Sequence, residues 1–501
     1  MNFLTASSKT YKPRKVLQQK RKVVEKEMRR TNKIAISTAV AAVIAVIALL
    51  VGIGIGFAAT SSIAPPAPTT VTQTVTAEVT MTVSGAASAT ATVTETVTEA
   101  KTVTEKVTTT VTQTQGAAGG LSGEIPIGAL LPLSGPLGAF GSNDKIAVEI
   151  AVAEVNEFLE SIGAGWKLKL YVEDTETKPS VALEKLMSLY AKGVKVVIGP
   201  MASASVRQLK EYADSNKILV ISQSSTDPKL AISGDFIYRF CPTDLYQGPV
   251  GPNFAKNLGV THIIFVWRGD AWGDGLEEVA KKTAEELGLN VAGEIRYAPE
   301  ATEFSAEVSS LADTVSKLLD QGVAPEKIMV QLISFGEARA FLLAAADYDV
   351  LWKVKWFGSD GTAYEGRLIQ EPKVAEFSST VRFVSPIFTP TKTPKYQELL
   401  EKIKAQTGSP PEPYAYNSYD AVWAVTYALL ATNNYDADAI RNVLPKILEH
   451  YYGASGNVIL NDDGDRIGVD YELVEIVKTD GTYEWEATGV YRTATGEIIW
   501  E

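Results

Sequence analysis

From residue 125 onward, short apolar runs alternate with longer amphipathic segments, and this alternation leaves few folds open. The runs at 125–131, 194–198 and 218–221 have the length and composition of buried strands. The segments between them space their apolar residues as helices do, and one such helix is predicted to begin at Ser203. Strands that alternate with helices in this way predict parallel sheets with helices on both faces and right-handed crossovers.

The same alternation repeats further along the chain. Strands are predicted at 263–266, 329–333 and 354–357, with helices between them. The chain then ends in a predicted hairpin that joins 471–477 to 483–491. The roughly 375 residues involved exceed what one hydrophobic core usually holds, so two lobes are expected.

An almost wholly apolar stretch occupies residues 34–59, and no charged residue occurs between positions 34 and 77. A bilayer core needs about 20 such residues in a helix, so this stretch is long enough to span a membrane. Residues 1–33 carry a charge of +9, from eleven Lys or Arg and two Glu, which predicts that they stay in the cytoplasm. We favour an uncleaved anchor over a signal peptide because secretory signals have a shorter basic region.

The tract at residues 60–123 is dominated by Thr and Val and contains variants of one Thr-Val-Thr unit. Such β-branched residues favour extended backbone, but the tract lacks the leucines and aromatics that a core requires. A valine recurs every four positions from 71 to 83, which leaves an oligomeric stalk open. A flexible spacer is the favoured interpretation, and it would hold a domain away from the membrane.

Composition argues against several classes of function. A single Cys and two His exclude an internal disulfide and a multi-cysteine zinc site, and they leave little room for a histidine-based metal site. Since the whole chain carries −12 and its first 33 residues +9, the remainder carries −21, which does not fit a nucleic-acid-binding surface. The usual nucleophile-elbow and phosphate-loop motifs do not occur. We therefore expect neither catalysis, nor a cofactor, nor a bound metal.

Two loops at the carboxyl ends of successive predicted strands carry hydroxyl groups. Ser203 opens a helix after one strand, and Ser224, Ser225 and Thr226 follow the next strand. Hydroxyls and unpaired backbone N–H groups at a helix start can hold a carboxylate. Plain N-capping explains either loop alone, but two such loops at neighbouring strand ends favour an anion site.

Three further side chains at strand ends are candidates for ligand binding. Asp360, in the segment WFGSDG, suits a ligand ammonium, or else it supports its own turn. Trp272 and Phe140 each stand beside glycines, where an aromatic side chain either covers a ligand or packs between domains. Open parallel sheets bind ligands beyond the carboxyl ends of their strands, so a site is expected among these loops.

Several segments match a known family in order and spacing: IPIGALLPLSGPLGAFG, VIGPMASASV, ILVISQSSTDPKL, YRFCPTDLYQGPV, RGDAWGDGLEEVA, KWFGSDGT and NSYDAVWAVTYALL. On these segments, residues 124–491 resemble the branched-chain amino acid (leucine/isoleucine/valine) binding proteins of ABC transporters. The resemblance implies the two-lobed α/β type I periplasmic-binding fold, or Venus flytrap. Each lobe would be a mainly parallel sheet with helices on both faces, preceded in this chain by the transmembrane helix and the Thr-rich stalk.

The resemblance assigns ligand-binding roles to seven residues: Phe140, Ser203, Ser224, Ser225, Thr226, Trp272 and Asp360. The hydroxyl-bearing loops would hold the α-carboxylate of an amino acid, and Asp360 would pair with its α-ammonium. Trp272 and Phe140 stand where tyrosine is usual in the family, which removes two hydroxyls and leaves the exact ligand open. One more contact is expected near residue 334 or 335.

The hinge positions that the family implies, near 242–243, 385–386 and 452–453, divide the chain into seven segments. They are a basic cytoplasmic segment (1–33), a transmembrane anchor (34–59), a stalk (60–123), the first part of lobe 1 (124–243), the main part of lobe 2 (244–385), the second part of lobe 1 (386–453) and a C-terminal segment of lobe 2 (454–501).

We therefore expect a single-pass protein of the cell membrane whose extracellular domain delivers an amino acid to ABC permease subunits with separate ATPase subunits. The anchor and stalk resemble those of archaeal surface binding proteins. A receptor for urea or short amides and a sensory or structural surface protein on the same fold are the alternatives. A cytoplasmic part of 33 residues is too short for a kinase module, which argues against direct signalling.

Overall fold

The protein is described by a computed structural model over residues 71–83, 86–99, 120–408 and 410–500. The chain divides into two compact units, Met1–Thr114 and Gln115–Glu501. The predicted cytoplasmic segment and membrane anchor lie outside the described residues. Within the ranges that are described, no helix is both long enough and apolar enough to cross a membrane.

Part of the Thr/Val tract forms an antiparallel pair of strands in the first unit. Strand Val71–Val83 pairs with strand Ala86–Glu99, with Val71 opposite Glu99 and one irregularity between Met81 and Val83. The expectation of a flexible spacer is therefore wrong for these residues. The β-branched residues favour extended backbone, as expected for this tract, but two neighbouring extended segments can also form main-chain hydrogen bonds to each other.

The first of two large sheets has six strands, and every neighbouring pair is parallel. In spatial order the strands are Asp465–Arg466, Ile237–Pro242, Leu219–Ser222, Val196–Ile198, Gly123–Leu131 and Trp166–Asp174. Its covering helices are Gly138–Ser161, Pro179–Ala191, Ser203–Asn216, Pro394–Thr407, Tyr414–Thr432 and Ala437–Leu448. This sheet and its helices are called the first lobe below.

The second sheet has eight strands, of which five are parallel and three form an antiparallel extension. In spatial order they are Asn290–Tyr297, His262–Arg268, Ile328–Ile333, Lys355–Phe357, Val384–Phe388, Tyr471–Thr479, Thr482–Arg492 and Glu497–Trp500. The helices of this second lobe are Asp244–Gln247, Val250–Asn257, Ala271–Glu286, Ser305–Asp320, Ala338–Ala345, Gly366–Gln370 and Pro372–Val381. The predicted C-terminal hairpin is confirmed, and the last strand extends it.

Helices on both faces of each sheet explain why inner strands such as Val196–Ile198 and Ile328–Ile333 are apolar along nearly their whole length. In the first lobe, Ile127 and Ala129 lie in one buried cluster, and Leu130, which points to the opposite face, lies in another. In the second lobe, Ile263 and Ile264 separate in the same way. A strand buried on both faces needs apolar residues at nearly every position, whereas the edge strand Trp166–Asp174 alternates lysines with apolar residues over its first half.

The chain passes between the lobes three times. The first two passages follow strands Ile237–Pro242 and Val384–Phe388, within a few residues of the predicted positions. The third follows strand Asp465–Arg466, which belongs to the first sheet, so the predicted boundary at 453/454 is wrong. A buried ion pair between Arg239 and Asp465, with Nη2 and Oδ2 2.6 Å apart, holds this segment in the first lobe.

Candidate functional site

A cleft lies between the lobes, where the carboxyl ends of strands from both sheets face each other. The loops that line it follow strands Val196–Ile198 and Leu219–Ser222 in the first lobe and His262–Arg268 and Lys355–Phe357 in the second. The cavity in the cleft is lined by Leu137, Phe140, Met201, Ala202, Ser203, Ser224, Trp272, Phe335, Asp360, Gly361 and Tyr414. This is the position at which open parallel sheets bind ligands.

Five of the seven residues that the sequence singles out line this cavity: Phe140, Ser203, Ser224, Trp272 and Asp360. The other two, Ser225 and Thr226, are buried beside it and do not line it. The structure thus brings residues from both lobes to one place, although more than 200 positions separate the first from the last along the chain.

Ser203 stands at the start of helix Ser203–Asn216 and holds the neighbouring loop in place. Its Oγ accepts hydrogen bonds from the N–H groups of Thr226 and Asp227, both at 3.2 Å, and from the Ser225 hydroxyl at 3.0 Å. The N–H of Thr226 and the hydroxyl of Ser225 are therefore bonded to Ser203. This leaves the hydroxyl protons of Ser203 and Ser224 as donors that can reach into the cavity.

Asp360 provides the negative charge of the cleft. The Tyr414 hydroxyl donates to its Oδ2, while its Oδ1 is buried without a hydrogen-bond partner. The Asp360 N–H donates to Gln247 Oε1 at 2.9 Å, and Gln247 Nε2 donates to a second buried acid, Asp244, at 2.9 Å. Gln247 therefore bridges the main chain at Asp360 to the Asp244 carboxylate.

Burial disfavours the charged forms of both acids. Burial raises the pKa of Asp360, and the hydrogen bond from Tyr414 opposes that shift. Burial raises the pKa of Asp244 well above its usual range, and the nearby charge of Asp360 adds to the rise. A carboxylate in such surroundings gains most from a cation that enters the cleft, because a cation favours the ionised form.

Two stacked aromatic rings form the second-lobe wall of the cleft. The rings of Trp272 and Phe335 lie 4.4 Å apart at 19°, and the Arg268 guanidinium lies 4.8 Å from the centre of the Phe335 ring. Asp270 caps helix Ala271–Glu286 by accepting from the N–H groups of Trp272 and Gly273, at 3.1 and 3.0 Å. The cap fixes the backbone from which the Trp272 side chain projects.

Contacts across the cleft hold the lobes close together. Besides the bond from Tyr414 to Asp360, Arg367 of the second lobe donates to the Pro136 carbonyl of the first. Lys229 Nζ and Glu278 Oε2 form an ion pair between the lobes at 2.6 Å. The remaining cavity is about 20 Å³, which is room for one water molecule. An amino acid therefore requires the lobes to separate or the aromatic side chains to move.

Two residues that line the cavity have clear chemical roles but are not among the seven candidates from the sequence: Tyr414 and Phe335. Phe335 is one of the two positions, 334 and 335, near which one more ligand contact was expected. Tyr414 begins helix Tyr414–Thr432 and stands outside the strand-end loops from which the candidate residues are drawn. A signal for it in the sequence is the Tyr-rich segment YAYNSYDAVW, whose first tyrosine lies three residues before the recognised segment NSYDAVWAVTYALL.

Comparison with known proteins is consistent with this geometry. A family model described as "Receptor family ligand binding region" matches residues 143–479, more than half of the chain. The chain is 33% identical over 402 residues to the "uncharacterized protein MJ1266" of Methanocaldococcus jannaschii, across 77% of this chain and 93% of that protein. It is 25% identical over 373 residues to the Leu/Ile/Val-binding protein BraC3 of Rhizobium johnstonii, across 73% and 92% of the two chains.

Among solved structures, the leucine-binding protein LivK of Thermotoga maritima matches with a TM-score of 0.60 and 21% identity. The match covers 74% of this chain and 99% of that protein, and it shows that the two share their fold. The family match, the relatives and the two-lobed α/β architecture agree with one another. The chain belongs to the branched-chain amino acid family of type I periplasmic-binding proteins.

Proposed function

We propose that the protein is a solute receptor that binds an α-amino acid between its lobes and presents it to a membrane permease. The observation that carries this proposal is the Asp360 carboxylate, which lines the cleft and keeps Oδ1 buried without a partner. An α-ammonium supplies the hydrogen-bond donors and the positive charge that this oxygen lacks. Ser203 and Ser224, on the opposite lobe, offer hydroxyl donors to an α-carboxylate.

The apolar lining favours an amino acid with an apolar side chain. Leu137 and Met201 of the first lobe and the stacked pair Trp272 and Phe335 of the second surround the cavity. A charged or strongly polar side chain would lose its hydration there without gaining partners. A branched aliphatic side chain would bury its surface against these walls, and the name of the Rhizobium relative supports the same class.

We further propose that the binding domain lies outside the cell, tethered by residues 34–59, and that permease and ATPase subunits are separate chains. The charge-free apolar stretch and the basic residues before it support this orientation. Contacts to both lobes give a bound amino acid differential affinity for the closed form, which is the form that a permease would recognise. No catalytic step is part of this proposal.

The test is calorimetric titration of the full-length chain with leucine and two analogues. N-acetylleucine keeps the carboxylate and the side chain but lacks the ammonium, and leucinamide keeps the ammonium but lacks the carboxylate. We expect leucine to bind, N-acetylleucine to bind at least about tenfold more weakly, and leucinamide to lie between them. Equal affinity for leucine and N-acetylleucine, or preferential binding of acetamide or urea, would overturn the assignment.

A further inference from the structure

A second and larger cavity lies in the second lobe, away from the cleft. Its volume is about 690 Å³, within the range of small-molecule sites. Residues at the amino ends of strands Lys355–Phe357 and Val384–Phe388 line it. Asp360, in contrast, follows the carboxyl end of strand Lys355–Phe357. The two cavities therefore lie at opposite ends of the same three-residue strand.

The cavity exists because the sheet opens between these two strands. Strand Lys355–Phe357 pairs along its whole length with strand Ile328–Ile333 on one side. On the other side it pairs with strand Val384–Phe388 at a single position, Phe357 opposite Val384. The amino-terminal half of the strand therefore lies apart from this neighbour, and side chains from both sides of the gap surround the space.

Aromatic side chains form much of the wall: Phe254, Trp352, Trp356 and Trp500. Phe254 and Trp500 meet edge to face, with their ring centres 5.8 Å apart. The indole N–H of Trp352 donates to the Ala346 carbonyl at 3.1 Å, and that of Trp356 donates to the Leu351 carbonyl at 2.9 Å. Because its N–H is bonded within the protein, the half-buried Trp352 indole offers the cavity apolar surface, whereas the fully buried Trp356 ring packs behind the wall.

The charged side chains in the wall leave two cations free. Arg382 is bonded twice to Glu475, at 3.0 and 2.9 Å, so this pair carries no net charge. Lys353 and Lys355 also line the cavity, and no carboxylate within the described part of the chain pairs with either ammonium. With Glu326, the one other acid in the wall, the lining carries a net charge of +1. Beyond residue 33 the chain carries −21, so this local excess of positive charge departs from its surroundings.

We propose that this cavity binds a small amphipathic anion, an aromatic body that carries one carboxylate. The aromatic walls would cover the ring, and the two unpaired ammonium groups would meet the carboxylate. Such a ligand differs from the zwitterion of the cleft, because the one acid of this wall outside the Arg382 pair, Glu326, is exposed to solvent, whereas Asp360 is buried. The proposal therefore stands independently of the function proposed for the cleft.

The experiment is calorimetric titration of the full-length chain with 1-naphthoate and with its uncharged counterpart 1-naphthamide. The two probes have nearly the same shape, so the difference in their affinities measures the contribution of the carboxylate. We expect 1-naphthoate to bind at least about tenfold more tightly than 1-naphthamide. Equal affinities, or no binding of 1-naphthoate, would overturn the proposal.

Variants locate the bound probe. The double variant K353Q/K355Q should weaken 1-naphthoate about tenfold and leave 1-naphthamide unchanged, whereas Trp500→Ala should weaken both probes. Lys317→Gln, on exposed helix surface of the same lobe, should change neither. Wild-type binding by K353Q/K355Q would place the probe elsewhere and overturn the proposal.

Discussion

Two regions of the molecule each bury a carboxylate, and they use it in opposite ways. In the first lobe, both oxygens of Asp144 accept hydrogen bonds, from Gln223 at 2.7 Å and from Ser418 at 2.9 Å. On the second-lobe face of the cleft, Asp360 has one bonded oxygen and one without a partner. Burial raises the pKa of both acids, but only Asp360 lines a cavity that opens to both lobes.

The difference shows that burial and a raised pKa alone do not identify a binding residue. A carboxylate whose oxygens are both bonded to neutral donors is part of the framework, since its neighbours leave no acceptor for a ligand. An unpartnered oxygen that faces a cavity leaves a hydrogen bond to be made, and an ammonium makes it with charge as well. The two acids should therefore respond differently to the same substitution.

The largest expected effect is on ligand affinity at the cleft. Asp360→Asn keeps the size of the side chain but removes its charge, so it should weaken leucine binding about a hundredfold. Asp144→Asn should leave the affinity for leucine within about twofold of wild type. Calorimetric titration of both variants measures the contrast. Similar losses of affinity in the two variants would mean that the acids do not have the separate roles that their surroundings indicate.

How much of this contrast could be predicted from the sequence depends on the range of the contacts. Asp360 stands out because it comes three residues after an apolar strand and lies between Gly358 and Gly361, which is local information. Tyr414 was not found, because its contact with Asp360 exists only when the two lobes come together. Asp144 could not be recognised either, since its partners Gln223 and Ser418 are brought to it by folding alone.

The fold itself was predictable where the pattern of apolar residues is long enough to read. The inner parallel strands are apolar over most of their length, and the second strand of the C-terminal hairpin alternates apolar and polar residues, so both were visible in the sequence. Strand Asp465–Arg466 has two residues and no periodicity, and for that reason the third passage between the lobes was misplaced. The pairing of Val71–Val83 was missed because repeated Thr and Val residues specify no partner.

A smaller effect is expected on the pH dependence of stability. Burial raises the pKa of Asp144 to about 7 in the folded chain, so between about pH 4 and pH 7 the folded state binds a proton that the unfolded state has lost. The free energy of unfolding should therefore fall by about 2 kcal/mol from pH 5.5 to pH 8.5, and Asp144→Asn should abolish that component.

Urea denaturation of wild type and variant at pH 5.5 and pH 8.5 measures this difference. The side-chain amide that Asp144→Asn introduces can keep a hydrogen bond to Gln223. It donates to Gln223 Oε1, which is buried without a partner, once the Gln223 side-chain amide flips. Asp347→Asn serves as the control, because Asp347 is exposed and pairs with Lys373 on the surface. If Asp144→Asn retained the pH dependence of wild type, Asp144 would not be the group that takes up the proton.

The smallest expected effect concerns the bond that joins the two regions. The Tyr414 hydroxyl, on a first-lobe helix, donates to Asp360 and so occupies part of the acceptor that a ligand ammonium needs. Tyr414→Phe should therefore raise the affinity for leucine about threefold and shift the unliganded chain toward an open form with a larger radius of gyration in solution scattering. Tyr419→Phe, which removes a bond to Glu154 inside the first lobe, should change neither quantity. A loss of affinity in Tyr414→Phe would contradict this expectation. It would mean that the hydroxyl contacts the bound ligand, because its removal would then destabilise the complex more than the closed, unliganded form.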